Sequence, residues 1–149
     1  MQKASELMTQ NPHCCLPEST VMEAVEVMAG EDCGAVPVID HEGHCVGMIT
    51  DRDVCLRVVS RHLDPEKTRL QAVMTHGPIT CNLDEPMDSV VRKMEQRMVR
   101  RIPVVDQNNL CVGIISEADI ATKEEDRTIV SEFVEVVSHQ KGASWLKQA

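Results

Sequence analysis

The chain has 149 residues, 42% hydrophobic and 26% charged, with 15 Lys+Arg against 24 Asp+Glu and a formal net charge of -9 with His neutral. That length suits one ordinary globular unit or two small ones sharing a core. One Trp, one Phe and no Tyr leave no aromatic platform for stacking bases, and the acidic balance repels a phosphate polymer, so no nucleic acid partner is expected.

No apolar run approaches the roughly 18 residues of a membrane span, and the stretch from Met1 to Gln10 turns polar too soon for a signal-peptide core. The expectation is a soluble, cytoplasmic protein without a membrane partner. Seven scattered cysteines, an odd number, do not make a secreted disulfide framework. Most are expected to serve as small buried hydrophobes.

In chain order, the first element is a short extended stretch, His13 to Leu16. A helix follows, with Thr20 and Glu23 as a capping box and Val21, Ala24, Val25 and Met28 on one apolar face, ending near Gly30. Two β-rich runs, Val36 to Ile39 and Cys45 to Thr50, flank a polar turn from Asp40 to Gly43. A further helix begins at Asp51.

Residues 64–72, with Asp64-Pro65, read as a linker between a unit at 1–63 and another at 73–127. The second unit repeats the first: an extended stretch from Ile79 to Leu83, then a helix whose first position suits Pro86 and whose apolar face is Met87, Val90, Val91 and Met94. Runs from Ile102 to Val105 and Cys111 to Ser116 follow, and then a helix from Glu117. Ile129, Val130, Phe133, Val134 and Val137 form an apolar stripe on a C-terminal helix over 128–140, which either covers the molecule's own core or makes a dimer contact. Residues 141–149 read as a flexible tail.

One constant offset superposes the two units without a gap. Met8-Thr9 falls on Met74-Thr75, Pro12 on Pro78, Cys15 on Cys81, Met28 on Met94, Pro37-Val38 on Pro103-Val104, Cys45-Val46-Gly47 on Cys111-Val112-Gly113, and Asp53 on Asp119. A half of about 50 residues buries too little surface to stand comfortably alone. The expected fold class is therefore α+β: two β-α-β-β-α repeats packed about a pseudo-two-fold axis, plus the C-terminal helix.

Gly34-Ala35-Val36-Pro37-Val38-Ile39-Asp40 followed by Gly47-Met48-Ile49-Thr50-Asp51-Arg52-Asp53 resembles a CBS domain (cystathionine β-synthase domain). Val99-Arg100-Arg101-Ile102-Pro103-Val104-Val105-Asp106 with Gly113-Ile114-Ile115-Ser116-Glu117-Ala118-Asp119 is similar to a second. The resemblance spans about Ala4 to Ala121 and is to the small stand-alone bacterial type. It implies a Bateman module that regulates another protein, commonly a homodimer, with clefts for an adenosine nucleotide (AMP, ADP, ATP) or S-adenosylmethionine. No required cofactor is implied.

A nucleotide site needs a donor for phosphate, an acceptor for ribose hydroxyls and an apolar slot for the base. Thr50 at a strand end, beside the free N–H groups of a first helical turn, provides the donor, and Asp53 provides the acceptor. Ser116 and Asp119 match them, following the family's Gly-x-x-Thr/Ser-x-x-Asp pattern. The same residues also read as ordinary helix caps, and capping and binding are compatible. The resemblance places Val36, Pro37, Ile102 and Pro103 near the base, with Cys14 and Thr80 supplying backbone edges. Arg101, in Arg100-Arg101, stands where the first copy has Gly34-Ala35, so the two clefts are expected to be unequal.

Two groupings, His13 with Cys14 and Cys15, and His41 with His44 and Cys45, contain soft ligand atoms. Neither has a four-ligand zinc pattern, and no metal site is expected. There is no P-loop, dinucleotide glycine fingerprint, nucleophile elbow or metalloprotease helix, so no catalytic residues are assigned and no enzyme activity is expected. The alternatives to ligand sensing are a dimeric interaction protein that binds no nucleotide, or a thiol or metal stress sensor.

Overall fold

The computed structural model describes residues 1–138. The tail expected over 141–149 and the last two residues of the expected C-terminal helix lie outside the described residues. Strands β2 (Ala35–Ile39) and β3 (Cys45–Thr50) form an antiparallel hairpin in the first half, and β6 (Arg101–Val105) and β7 (Cys111–Ser116) form its counterpart. Register is conserved between them: Ala35 faces Thr50 as Arg101 faces Ser116.

Helix α2 (Val21–Glu31) starts on the expected capping box. Thr20 Oγ1 accepts from the Glu23 N–H at 3.2 Å, and Glu23 Oε2 accepts from the Thr20 N–H at 2.7 Å. It ends at Asp32 in the left-handed region (φ 50°), and its counterpart α4 (Met87–Arg97) ends the same way at Met98 (φ 52°). Pro86 sits one position before α4, at its cap. Glu85 instead ties the N-terminal end of this helix to its surroundings, accepting from the Asn82 N–H, the Ser89 hydroxyl and Lys93.

The repeats do not fold from consecutive residues. Strand β1 (Thr9–Gln10) pairs with β7 of the second half, and β4 (Thr75–His76) pairs with β3 of the first. The sheets are accordingly four-stranded, in the order β1-β7-β6-β5 with β5 at Cys81–Asn82, and three-stranded, β2-β3-β4.

The cores follow the same exchange. Leu70, Val73 and Met74 pack with Val21, Ala24, Met28, Val36, Val38 and Ile49. Ala4 and Leu7 of helix α1 (Ala4–Leu7) pack with Met87, Val90, Met94, Ile102 and Ile115. Each arm delivers a methionine onto a bare glycine of the opposite hairpin. A Cβ on Gly47 would lie 2.6 Å from Met74 Sδ and 3.1 Å from the Thr75 carbonyl, and one on Gly113 would collide with Met8. A side chain at either position would force the methionine to shift, so glycine permits this close approach.

Helix α6 (Arg127–Ser138) lies over the second core, and Phe133 and Val137 are fully buried in it. Of the two sequence readings of this stripe, the structure gives the covering of the molecule's own core. The halves meet at a bridge between His44 and Leu110, closed by Cys45 N–H to Asn109 O and Cys111 N–H to Gly43 O, each 3.1 Å. Among the described residues no helix is long and apolar enough to cross a membrane.

Candidate functional site

Thr50 and Ser116 end their strands and cap the helices that follow, α3 (Asp51–Asp53, continuing as a wider π-type helix over Val54–Val59) and α5 (Glu117–Lys123). The boxes are reciprocal. The Asp53 N–H donates to Thr50 Oγ1 at 3.1 Å and the Thr50 N–H to Asp53 Oδ2 at 3.0 Å. The Asp119 N–H donates to Ser116 Oγ at 3.2 Å and the Ser116 N–H to Asp119 Oδ2 at 2.9 Å. One oxygen of each carboxylate is therefore held by its own cap, which fixes the other in direction.

The outer oxygens differ. Asp53 Oδ1 lies 3.7 Å from Arg57 Nε, a loose contact, whereas Asp119 Oδ1 accepts from Lys123 Nζ at 2.8 Å. The Ser116 hydroxyl also donates to Asp119 Oδ2, at 2.9 Å. Asp53 is thus the freer acceptor for an incoming hydroxyl, and Asp119 must exchange an ammonium partner first.

Both carboxylates border clefts between the halves. The first, about 480 Å³, is lined by Thr50 to Asp53 from one half and by Ile79, Val99 to Arg101 and Pro103 from the other. The second, about 760 Å³, is lined by Ser116 to Asp119, with Glu31 to Ala35 and Val134. These volumes fall in the range of small-molecule sites, about 300–1,000 Å³. Repeat-matched residues occupy them: Thr75 and Val99 in the first stand where Thr9 and Cys33 stand in the second. Each cleft thus joins one repeat's Thr/Ser-x-x-Asp box to the other repeat's chain before its hairpin.

Arg100 and Arg101 line both clefts, because the chain entering β6 runs between them. The arginine pair therefore does not single out one cleft. Arg52 adds charge only to the first, and Glu31, Asp32 and Glu117 make the second acidic. Arg100 is turned partly toward the protein, with Nε 3.7 Å from Glu117 Oε2 and Nη2 3.3 Å from the Val137 carbonyl.

Of the residues singled out from sequence, Thr50, Asp53, Arg101 and Pro103 come together in the first cleft and Ser116, Asp119 and Arg101 in the second. Val36 and Ile102 are fully buried in the two cores, and Pro37 is buried in β2. Cys14 and Thr80 are not among the lining residues of either cleft; the Thr80 carbonyl accepts from Lys93 Nζ at 3.3 Å. Sequence reasoning missed Ile79, Met98 and Val99 as cleft walls. Their signal was positional only, since they flank repeat-matched elements on the partner half.

The histidines of both groupings lie against carboxylates. His13 faces Glu31 at 3.8 Å, His41 pairs with Glu18, and His44 Nδ1 lies 2.9 Å from Asp40 Oδ2. The Asp40 carboxylate is itself occupied by the Glu42 and His44 N–H groups, at 3.0 and 2.9 Å, which shape the turn between β2 and β3.

The family model for the CBS domain matches twice, over residues 4–60 and 70–126. The chain belongs to the CBS domain family. This CBS pair is 32% identical over 140 residues to the CBS domain-containing protein YhcV of Bacillus subtilis, covering 94% of this chain and 98% of that one. Hypoxic response protein 1 of Mycobacterium tuberculosis is 29% identical over 137 residues, 92% of this chain and 94% of its own. A crystal structure of Hypoxic Response Protein I with two coordinated zinc ions aligns with a TM-score of 0.74 at 28% identity, over 80% of this chain and 97% of that one. The CBS domain pair of protein MJ0100, in complex with 5'-methylthioadenosine and S-adenosyl-L-methionine, aligns equally well, with a TM-score of 0.74, 28% identity and the same coverage.

Proposed function

We propose that this CBS pair is a regulatory module that binds an adenosine compound between its halves and alters a partner protein. The observation that carries this reading is the repetition of the cleft: two Thr/Ser-x-x-Asp boxes, each facing the opposite repeat across a cavity of ligand size. Asp53 and Asp119 accept the ribose hydroxyls, Thr50 and the guanidiniums of Arg100 and Arg101 hold phosphate, and Ile79, Val99 and Pro103 take the base in the first cleft; Ser116, whose O–H donates to Asp119, holds that carboxylate in place in the second. Thr50 suits its role because its oxygen accepts from the Asp53 N–H while its own O–H is left to donate. The complex of the MJ0100 domain pair supports the ligand class.

The charge distribution sorts the ligands. Arg52, added in the first cleft to the Arg100 and Arg101 that both clefts share, favours an anionic nucleotide such as AMP, ADP or ATP there. The more acidic second cleft suits the sulfonium and amine of S-adenosylmethionine. Signalling follows where the ligand binds one arrangement of the halves more tightly than another.

The test is a thermal melt of metal-free, reduced protein with each compound. A ligand that binds only the folded state adds about 2.7 kcal/mol at 100 times its dissociation constant. Nucleotide binding is expected to weaken in Asp53→Ala and S-adenosylmethionine binding in Asp119→Ala, with the fold retained. Melts that no compound shifts, or affinities unchanged in the double variant, would overturn the reading.

A further inference from the structure

Three cysteines from separate stretches of chain meet where the two halves join. Cys45 begins β3 and Cys111 begins β7, at repeat-matched positions beside the His44–Leu110 bridge. The Cys45 thiol is within hydrogen-bonding reach of the Cys111 sulfur. Cys14 arrives from the other side, on the arm that follows β1. That arm runs beside β7, with Gln10 opposite Gly113 and the Asn11 N–H donating to the Val112 carbonyl at 3.1 Å. Its thiol also reaches the Cys111 sulfur. The repeat counterpart of Cys14 is Thr80, so the third thiol has no repeat-matched partner; Cys111 neighbours both Cys14 and Cys45, and Cys14 also feels Cys45.

The environment distinguishes Cys111 from the other thiols. The neighbouring Cys14 and Cys45 thiols favour its thiolate and lower it to about 4, against the opposing effect of burial. Cys14 and Cys45 are pushed the other way, first by that hydrogen bond to Cys111 and then by burial. Cys81, buried in the second core, is pushed up to about 12 by burial, and burial also raises Cys15. Cys111 and Cys14 remain half-buried, open enough for a small oxidant, while Cys45 is buried.

We propose that Cys111 is a peroxide-reactive thiol whose oxidation is resolved by either Cys14 or Cys45, giving an intrachain disulfide at the junction of the repeats. In the first step the Cys111 sulfur attacks one oxygen of hydrogen peroxide, the O–O bond breaks, and the departing hydroxide takes a proton and leaves as water. Cys111 is then a sulfenic acid. The sulfur of Cys14 or Cys45 attacks the Cys111 sulfur, the S–O bond breaks, and the hydroxyl leaves as water with the proton of the attacking thiol. Two thiols are oxidised, and one peroxide is reduced to two waters.

The two products constrain different things. A Cys45–Cys111 bond joins β3 directly to β7, whose mutual placement shapes both clefts. A Cys14–Cys111 bond staples the exchanged arm to the strand it already pairs with. Neither depends on nucleotide binding.

The experiment treats the full chain with hydrogen peroxide, alkylates the remaining thiols under denaturing conditions, and maps linked peptides after cleavage at Lys, Arg and Glu. Wild type is expected to lose two alkylatable thiols, reversibly with dithiothreitol, with Cys111 in every linked pair. Cys14→Ser and Cys45→Ser should each still form a disulfide through the remaining neighbour. Cys111→Ser and the Cys14→Ser/Cys45→Ser double variant should form none. Folded wild type whose Cys111 stays alkylatable, whose Cys111 goes to sulfinic acid without a disulfide, or whose linked peptides omit Cys111 would overturn the proposal. The wild-type map decides this even where a serine variant fails to fold.

Discussion

Phe133→Ala tests whether helix α6 belongs to the second core. Phe133 is the largest of the fully buried side chains and packs within the cluster that includes Leu7, Met87, Met94 and Ile120. Truncating a buried Phe removes its transfer free energy and leaves a cavity, together about 3–5 kcal/mol. At about 2–4 °C per kcal/mol for a chain of this size, the melting midpoint should fall by about 6–20 °C. Val134 on the same helix lines the second cleft and not the first. Ligand affinity in the Ser116 to Asp119 cleft should therefore drop while the Thr50 to Asp53 cleft is spared. Urea and thermal unfolding followed by circular dichroism, with size-exclusion light scattering, reads both parts. A loss under about 1 kcal/mol accompanied by dissociation of an oligomer would refute the reasoning, because Phe133 would then be serving an intermolecular contact.

Two further perturbations address the exchanged arms and the acid limb of stability. Gly47→Ala, whose Cβ would lie 2.6 Å from Met74 Sδ, should cost about 1–3 kcal/mol. Adding Met74→Ala should give a total less than the sum of the two single losses, and additive urea midpoints would show that the two positions do not touch. Burial alone would raise the Glu85 carboxyl, but hydrogen bonds from Lys93 at 2.8 Å, from Ser89 and from the Asn82 N–H outweigh it and hold it below the ordinary value of 4.5. A carboxyl depressed in the folded state contributes stability that is present above 4.5 and lost as pH falls through its folded value. Glu85→Gln should flatten that acid limb in urea titrations across pH, and an unchanged slope would count against the assignment.

Much of the fold is written in periodic signals. The constant offset, the Thr20–Glu23 box, the apolar faces of α2 and α4 and the paired β-rich runs all depend on local composition and spacing, and all are present in the structure. The arm exchange leaves no such trace. Strands β1 and β4 are two residues long, too short to show a period of two, and Leu70 reads as linker and Met74 as the start of the second unit until the first core closes around them. The Thr50–Asp53 and Ser116–Asp119 boxes were legible because a cap and its acid lie three residues apart. The opposite walls of the clefts were not, since Ile79 and Val99 reach the first cleft only through the packing of the other repeat. Cys45 and Cys111 read as strand hydrophobes, and nothing local tells that they converge at the axis.

The exchanged arms also bear on how the two clefts came to differ. A protein carrying one copy of the unit could complete this fold only as two chains swapping arms, and its symmetry would make both clefts chemically identical. Joining the copies in one chain turns that partnership into an intramolecular one and frees each copy to change alone. Arg100-Arg101 opposite Gly34-Ala35, Ala118 opposite Arg52, and Thr80 opposite Cys14 are all differences that a symmetric pair could not hold. The covalent link between the halves is thus what permits a single molecule to carry two dissimilar clefts on one architecture.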